Sequence, residues 1–532
     1  MTELPHQTVY ERLRWAADRW PGRPMLNLLP ETAAAYGMEP GITTYAEALA
    51  EVDALTARYG AAGFGPGHRV GLLLQNRPEF LWHLLALNAR GASVVPINPD
   101  LRATELTYLT EHSEMVLAIV LPDRVADLEA AAPGLPVLTP DQEIPDVVPI
   151  GGKTGLDAEC ALLYTSGTTG RPKGCVLSNH YFLNTGDWYA SVGGQMTIAE
   201  DPPERMLTPL PLFHVNALVF SVMGMMTVGG CLSVLDRFHP RTWWDSVRAC
   251  DATILHYLGI MPPLLMKQPE GPGDRDHAVR RAFGAGIDPA LHVAAEARFG
   301  FPFVEGWAMT ETGAGGVLMA SEEPRHPGTA NFGRPGNGVE AKILLDDGTE
   351  AGVDQPGELL VRREGPDPRR GFFSEYLKNP EATAEAWEGG WLHTGDIVLR
   401  DANGNFRFVD RKKNIVRRAG ENIAAAEVES ILLQRDDIRN LAVAPAPDDV
   451  RGEEVMALII SDGARDADHA AEITTWALGQ MAYYKAPGWI AFVDSLPVTA
   501  TEKIQRGEIK SLVQDLLAEG AAHDLRALKK RS

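Results

Sequence analysis

The sequence predicts an α/β protein in two unequal parts: a large N-terminal α/β domain with mixed sheets, residues 1–412, and a small α+β C-terminal domain, residues 413–532. Three observations predict it. The chain has 532 residues, more than one hydrophobic core organises. In its first part, short apolar runs alternate with helical patterns, as in βαβ units. Past about residue 400 the alternation gives way to a hairpin, a basic cluster and shorter mixed elements.

Each element has a local reason. Residues 69–74, RVGLLL, read as a buried parallel strand. Pro78 opens a helix, Gly91 ends it, and Phe80, Leu81, Leu84, Leu85 and Leu87 form its apolar face. Residues 93–97, SVVPI, are the next strand, so a right-handed crossover is expected. A second helix–strand pair ends in residues 115–120. Asn403-Gly404 marks a hairpin between residues 397–399 and 406–409. The basic run DRKKNIVRR, residues 410–418, follows. After it the patterns predict a helix (426–434), strands (441–444 and 455–460), a helix (470–481) and a strand (490–493).

Composition narrows the function classes. Hydrophobic residues make up 45% and charged residues 23% of the chain, as in soluble globular proteins. The formal charge of −22 disfavours nucleic acid and anionic lipid as partners, so an anionic ligand needs a local basic site. Cys160, Cys175, Cys231 and Cys250 lack CxxC spacing and fit reduced, mostly buried thiols of a cytoplasmic protein. The opening MTELPHQTVYERLRW has acidic residues and no apolar core, unlike a signal peptide. Residues 217–235 form an uncharged run long enough for a membrane span. Gly224, Gly229 and Gly230 interrupt it, so it reads as a buried helix, a turn and a core strand.

One stretch carries chemistry. Residues 164–174 read YTSGTTGRPKG. Thr165, Ser166, Thr168 and Thr169 supply hydroxyls, while Gly167, Gly170 and Gly174 allow close backbone approach. Lys173 adds a mobile positive charge. A phosphate cradle and a flexible surface turn are both compatible with this composition. The Walker loop GxxxxGK[ST] does not fit: Gly152-Lys153-Thr154 has its end, but Val147 stands at the first glycine.

The full string TSGTTGRPKG resembles the phosphate loop of the adenylate-forming enzymes, the superfamily of acyl-CoA synthetases, luciferases and peptide-synthetase adenylation domains. Other segments resemble the same superfamily in order: PLFHVNA (211–217), Gly284-Ala285-Gly286, EGWAMTE (305–311), WLHTGD (391–396), DRKKNIVRRAGENIAAAEVE (410–429) and LPVTATEKIQR (496–506). The resemblance spans residues 165–506 and implies the adenylate-forming fold, with a small C-terminal domain that is mobile.

It also implies roles. The loop residues Thr165, Ser166, Gly167, Thr168, Thr169, Gly170 and Lys173 would grip the β- and γ-phosphates of ATP. Gly284, Ala285, Gly286, Glu305, Gly306 and Trp307 would line the adenine, with Trp307 standing where most relatives have Tyr. Glu311 would coordinate Mg²⁺ on the phosphates, beside Thr310. Asp396 would accept from the ribose hydroxyls, supported by Arg411. Lys503 would be the adenylation lysine between the two reacting anions, and Glu502 departs from the neighbouring Gly. His214, Ala308 and Met309 would border the acyl pocket. Lys413 would be the hinge of the small domain, and Arg418, Ala419, Gly420, Glu421 and Asn422 its coenzyme A-side loop. Arg417 and Arg418 are candidates for the coenzyme A phosphates.

RAGENI (418–423) resembles the GGEN of acyl-CoA ligases, with Ala419 in place of the first Gly. The spacing of FSEYLKNPEAT (373–383) is similar to the carnitine/crotonobetaine–CoA ligase neighbourhood. The resemblance thus implies an ATP-dependent carboxylic acid–CoA ligase acting on ATP, coenzyme A and a small to medium acid. Ala308 stands where acetate-specific relatives carry Trp, so an acid larger than acetate is expected. Alternatives stay open: a stand-alone adenylation enzyme loading a carrier protein, a light-emitting oxygenase, or a nucleotide-binding homologue without catalysis. A homodimer is compatible with all of them.

Overall fold

The computed structural model describes residues 6–101, 103–165, 172–336, 338–418, 421–449, 451–481, 483–498 and 504–529. By its contacts the chain divides into two compact units. Among the described residues, the first takes in those from 6 to 341 and from 361 to 393, and the second those from 342 to 360 and from 394 to 529.

Among its described residues the first unit contains two large sheets, one of eight strands and one of seven. In the seven-stranded sheet, Arg69–Leu73 lies parallel between Ser93–Pro96 and Leu117–Val120, with Val70 opposite both Val94 and Leu117. The crossover helix Pro78–Ala89 starts with its proline in the first turn, and Gly91 follows it at φ +76°. The predicted apolar face is buried, and so are Trp82, His83, Ala86 and Asn88. This helix is covered all round, so its polar residues require internal partners. His83 Nδ1 pairs with the Tyr59 hydroxyl at 2.7 Å, and burial lowers its pKa to about 3, leaving the ring neutral. Asn88 donates to Asn179 Oδ1 at 2.7 Å and accepts from the Tyr10 N–H at 2.9 Å.

The long uncharged run resolves into three pieces. Asn216–Ser221 is one π-helical turn, Val222–Val228 is α-helix, and Cys231–Val234 is a buried strand of the eight-stranded sheet. Gly229 makes the break at φ +64°, where a Cβ would lie 2.4 Å from the Trp20 ring. Among the described residues no helix is long and apolar enough to cross a membrane. All four cysteines are free and buried.

In the second unit, Leu392–Arg400 and Phe406–Arg411 pair antiparallel across the Asn403-Gly404 turn. Asp401 Oδ1 closes the turn by accepting from the N–H groups of Asn403 and Asn405, both at 2.9 Å. Further on, Ile438–Asp448 and Gly452–Ser461 form a long antiparallel pair, and Trp489–Phe492 joins the latter in parallel. Helices Ala425–Leu432 and Ala467–Leu478 place Val428, Leu432, Ile473 and Ala477 against Val443, Ile459 and Ile490 in one core. Each fully buried Leu or Ile there contributes roughly 1.5–3 kcal/mol. The strands predicted over 441–444 and 455–460 are shorter than those observed, because cross-strand pairing extends them through Pro445 and Pro447.

Helix Pro289–Phe299 fastens the strand Phe303–Trp307, which carries several candidate site residues. Glu296 Oε1 accepts from the Phe303 N–H at 2.9 Å, and Arg325 grips both carboxylate oxygens at 2.8 and 2.7 Å. Burial alone would raise this carboxyl's pKa, but hydrogen bonds from His292, Arg325 and Phe303 outweigh it and bring it down from 4.5 to about 2. A depressed folded pKa adds stability above the unfolded value and loses it as pH falls through the folded one. The first unit should therefore lose melting temperature between about pH 4.5 and about pH 2. In Glu296→Gln that component should be missing; calorimetry of both proteins at stepped pH checks it, and parallel curves would contradict it.

Candidate functional site

The phosphate-loop string joins two antiparallel strands, Glu159–Thr165 and Lys173–Ser178, with Thr165 opposite Lys173. Ser166, Gly167, Thr168, Thr169 and Gly170 lie outside the described residues. The Lys173 ammonium sits 4.7 Å from the centre of the Tyr376 ring. The Tyr376 hydroxyl donates to Glu311 Oε1 at 2.8 Å, and burial together with that carboxylate raises the phenol's pKa, so it stays protonated. Glu311 is itself buried. Its backbone is tied to the same segment by the Phe373 N–H, which reaches the Glu311 carbonyl at 2.9 Å. Thr310 is held by its carbonyl, which accepts from the Tyr181 hydroxyl at 2.9 Å. Lys173, Glu311 and Thr310, far apart in sequence, thus share one tyrosine-braced cluster. Its two tyrosines were missed as site residues; Tyr376 lies within the segment FSEYLKNPEAT, which drew attention only by its spacing.

A second cluster forms at the ends of adjacent parallel strands. Ile254–Leu258, Arg281–Ala285 and Phe303–Trp307 lie side by side, with Tyr257 opposite Gly284 and Gly284 opposite Glu305. A Cβ on Gly284 would fall 2.3 Å from the Tyr257 carbonyl oxygen, so only glycine fits. Gly286 turns the chain at φ +82°. Glu305 is buried, and its carboxylate accepts from the Gly286 N–H at 2.9 Å, the Ile287 N–H at 3.2 Å and the Tyr257 hydroxyl. Burial still leaves its pKa raised. The Glu305 side chain therefore shapes the Gly284-Ala285-Gly286 turn from within. Gly306 is equally constrained: a Cβ there would meet the Phe283 ring at 2.6 Å. Trp307 is buried, with its ring 6.2 Å from Phe332. Beyond it Ala308 is exposed and Met309 half-buried, the latter's N–H capped by Thr312 Oγ1 at 2.8 Å. His214 is exposed, with its ring 4.6 Å from Phe213.

The second unit brings together another group. Asp396 and Arg411 face each other across the hairpin strands, and Arg411 Nε lies 2.5 Å from Asp396 Oδ1. Asp396 is 1% exposed, whereas the arginine side chain is 43% exposed, so the pair has a buried base and an open rim. Gly395, at φ +67°, donates to Glu358 Oε1 at 3.1 Å, and Lys412 reaches Glu358 Oε2 at 2.9 Å. Lys413 lies in the short 3-10 turn Lys412–Asn414. Asp410, not singled out beforehand, ties that turn down: it accepts from Asn414 Nδ2 at 3.0 Å and from the Ala426 N–H at 2.9 Å.

The basic run is not one solvated face. Arg417 is exposed and pairs with Asp346 at 3.2 Å. Arg418 is buried, with Nε 2.8 Å from Glu454 Oε2, and the same Glu454 is bonded by buried Lys529. Period-two alternation along the strand Ile415–Arg418 turns neighbouring arginines to opposite sides. Ala419 and Gly420 lie outside the described residues, while the backbones of Glu421 and Asn422 pair opposite Arg418 and Arg417. Lys503 also lies outside them; its segment re-enters at Ile504, bridged to Val498. Among the described residues no three His, Cys, Asp or Glu side chains converge as a metal cage.

Comparison with known proteins gives a consistent picture. The pattern of the AMP-binding enzyme family matches residues 13–373, and that of the AMP-binding enzyme C-terminal domain matches residues 427–503. A sulfoacetate–CoA ligase of Cupriavidus necator is 31% identical, covering 92% of this chain and 95% of its own. A crotonobetaine/carnitine–CoA ligase of Salmonella paratyphi B is 29% identical, over 88% of this chain and 93% of its own. The solved structure of the O-succinylbenzoate coenzyme A synthetase of Bacillus subtilis, in complex with AMP, is similar with a TM-score of 0.78 at 25% identity, over 95% of this chain and 98% of that one.

The Glu305 cluster can be tested without any ligand. Glu305→Leu would leave two backbone N–H groups and a phenol buried without an acceptor. Each such group costs about 1–3 kcal/mol. Urea unfolding should show a loss of about 3 kcal/mol or more, against a smaller loss for Glu305→Gln; equal losses would mean that the carboxylate does not organise the turn.

Proposed function

This chain belongs to the AMP-binding enzyme family, and we propose that it is an ATP-dependent carboxylic acid–CoA ligase. In the first half-reaction a carboxylate oxygen attacks the α-phosphorus of ATP and pyrophosphate leaves, giving an acyl-AMP. In the second, the coenzyme A sulfur attacks the acyl carbon and AMP leaves. The observation that carries this reading is the convergence of Lys173, Glu311 and Thr310 around Tyr376 and Tyr181. A cation beside a buried carboxylate suits a polyphosphate with its divalent metal.

Mg²⁺ is a hard cation bound through one or two carboxylates plus substrate phosphates, not by an all-protein cage. A single fixed carboxylate, Glu311, fits that donor set, and its hydrogen bond from Tyr376 holds the oxygen-bearing end in place. Bound there, the metal would neutralise phosphate charge. Lys173 and the loop residues 165–170 orient the same phosphates. Asp396 accepts from the ribose hydroxyls and Arg411 restrains it. Gly284, Ala285, Gly286 and Trp307 border the adenine, and the turn that Glu305 holds gives that border its shape. His214, Ala308 and Met309 border the acyl group, with the small Ala308 leaving room beyond an acetyl. The relatives named as CoA ligases support free coenzyme A as the thiol acceptor.

Lys503 and the 418–422 loop serve different half-reactions, so the small domain, residues 413–532, turns about Lys413 between them. Asp410, just before that hinge, accepts from Asn414 just after it and from the Ala426 N–H, so a turn about Lys413 opens these two bonds.

A panel of carboxylic acids, scored for pyrophosphate release and for thioester with and without free coenzyme A, tests the function. Thioester from an acid longer than acetate is expected, and Ala308→Trp should shift preference toward acetate. Release without thioester would identify an adenylation enzyme that needs another acceptor. The half-reactions separate the mobile parts. Lys503→Ala should cut acyl-AMP formation by about 100-fold or more while sparing thioester formation from synthetic acyl-AMP. Lys413→Pro should spare adenylation and stop thioester formation; equal loss in both halves would remove Lys413 as the hinge.

A further inference from the structure

Asn216 stands on the π-helical turn, two residues beyond His214, and it is half-buried among residues otherwise enclosed. Its side chain ends a chain of polar groups that runs into the core. His256, on the strand Ile254–Leu258, is fully buried and touches three of them. Its Nε2 lies 2.8 Å from the Tyr189 hydroxyl. Its Nδ1 lies 2.8 Å from Ser221 Oγ and 3.0 Å from Asn216 Oδ1. Phe283 closes the fourth side, edge-on to the imidazole at 5.1 Å.

The proton positions follow from counting donors. Burial lowers the His256 pKa to about 3, so the ring is neutral and carries one N–H. Burial raises the Tyr189 pKa, so its hydroxyl keeps its proton. His256 is the hydrogen-bond partner of that hydroxyl, and a fully buried O–H left undirected would be costly. Tyr189 therefore donates to Nε2, which makes Nε2 the acceptor and puts the ring proton on Nδ1. Nδ1–H then faces two oxygens, Ser221 Oγ at 2.8 Å and Asn216 Oδ1 at 3.0 Å, and an amide NH₂ turned toward it would set donor against donor, so the Asn216 amide keeps its oxygen inward. Ser221 turns its own proton to the Asn216 backbone carbonyl at 3.3 Å. The Asn216 Nδ2 lies on the far side of the amide from the oxygen that meets His256, and among the described residues it donates to none.

We propose that Asn216 is a specificity-determining residue: its oriented amide donates to an oxygen on the acyl chain and selects acids bearing such an acceptor over plain hydrocarbon acids. Tyr189 and His256 are positioning residues that keep the donor end outward. The inference rests on the acyl-ligase reading and on the acyl group lying beside His214. It makes a different statement from pocket size: Ala308 admits longer chains, and Asn216 chooses among them by polarity. A site built to hydrogen-bond an oxygen discriminates far more sharply than one that merely fits a methylene.

The test uses the full-length enzyme and a series of oxo acids with the carbonyl at successive positions, each paired with its methylene isostere. Pyrophosphate release gives kcat/KM for both members of every pair. Wild type should favour the oxo acid at one chain position by about tenfold or more. Asn216→Leu should bring that ratio close to one. Tyr189→Phe frees Nε2 to take the ring proton, lets the amide turn over, and should lower the ratio without any change at Asn216; a merely structural role would scale both members equally. A wild-type ratio near one at every position overturns the inference and leaves the ligase reading intact. So does a ratio that survives Asn216→Leu. Absence of pyrophosphate release with every acid overturns the ligase reading and this inference with it.

Discussion

Glu305 is a carboxylate in the interior of an eight-stranded sheet, and it stays there because two backbone N–H groups and a phenol are aimed at it. Removing a charge from water without donors costs several kcal/mol, so the fold around it has little freedom. Tyr257 must come from one neighbouring strand, and the turn after Gly284 must follow the other. Gly284 must lack a side chain for those strands to lie in register. The segment proposed to border the adenine is therefore shaped by a residue behind it, from the protein side.

The same constraint recurs where the other proposed ligands lie. Glu311 is buried and receives Tyr376, whose ring in turn carries Lys173. Asp396 is buried beneath Arg411. In the C-terminal helices, Arg506 grips Glu429 through both oxygens at 2.6 Å and the Val443 carbonyl at 2.8 Å. That clamp fixes Arg506 at the start of the helix Arg506–Ala518. A buried polar network that is fully satisfied specifies one geometry, which is what in-line chemistry at phosphorus requires.

Much was legible beforehand because it is local. Proline at a helix start, glycine where φ is positive, Asn-Gly between apolar runs and alternating β-branched residues each act within a few residues of themselves. They located the crossover helix at Pro78, the break at Gly229 and the hairpin at Asn403-Gly404. The ordered motifs pointed to the family in the same way, since each is a short string. Arg418 shows where locality ends. The sequence offers it beside Arg417 as a candidate for the coenzyme A phosphates, but whether it meets water or Glu454 is set by a strand more than thirty residues away.

Tyr376 beside Glu311, Tyr257 beneath Glu305, Asp410 at the 3-10 turn and the Tyr189–His256–Asn216 chain were not legible, and the reason is common to all four. A tyrosine, aspartate or histidine within a strand, helix or loop carries no signal of its partner. The partner is chosen when distant strands and helices are packed together, and Tyr189 and His256 meet across 67 residues of chain. Short-range stereochemistry and the motif strings thus dictate which elements form and which chemistry they belong to. Packing dictates which side chains are dry, because burial, and hence the demand for a donor or an acceptor, exists only once distant segments have closed over them.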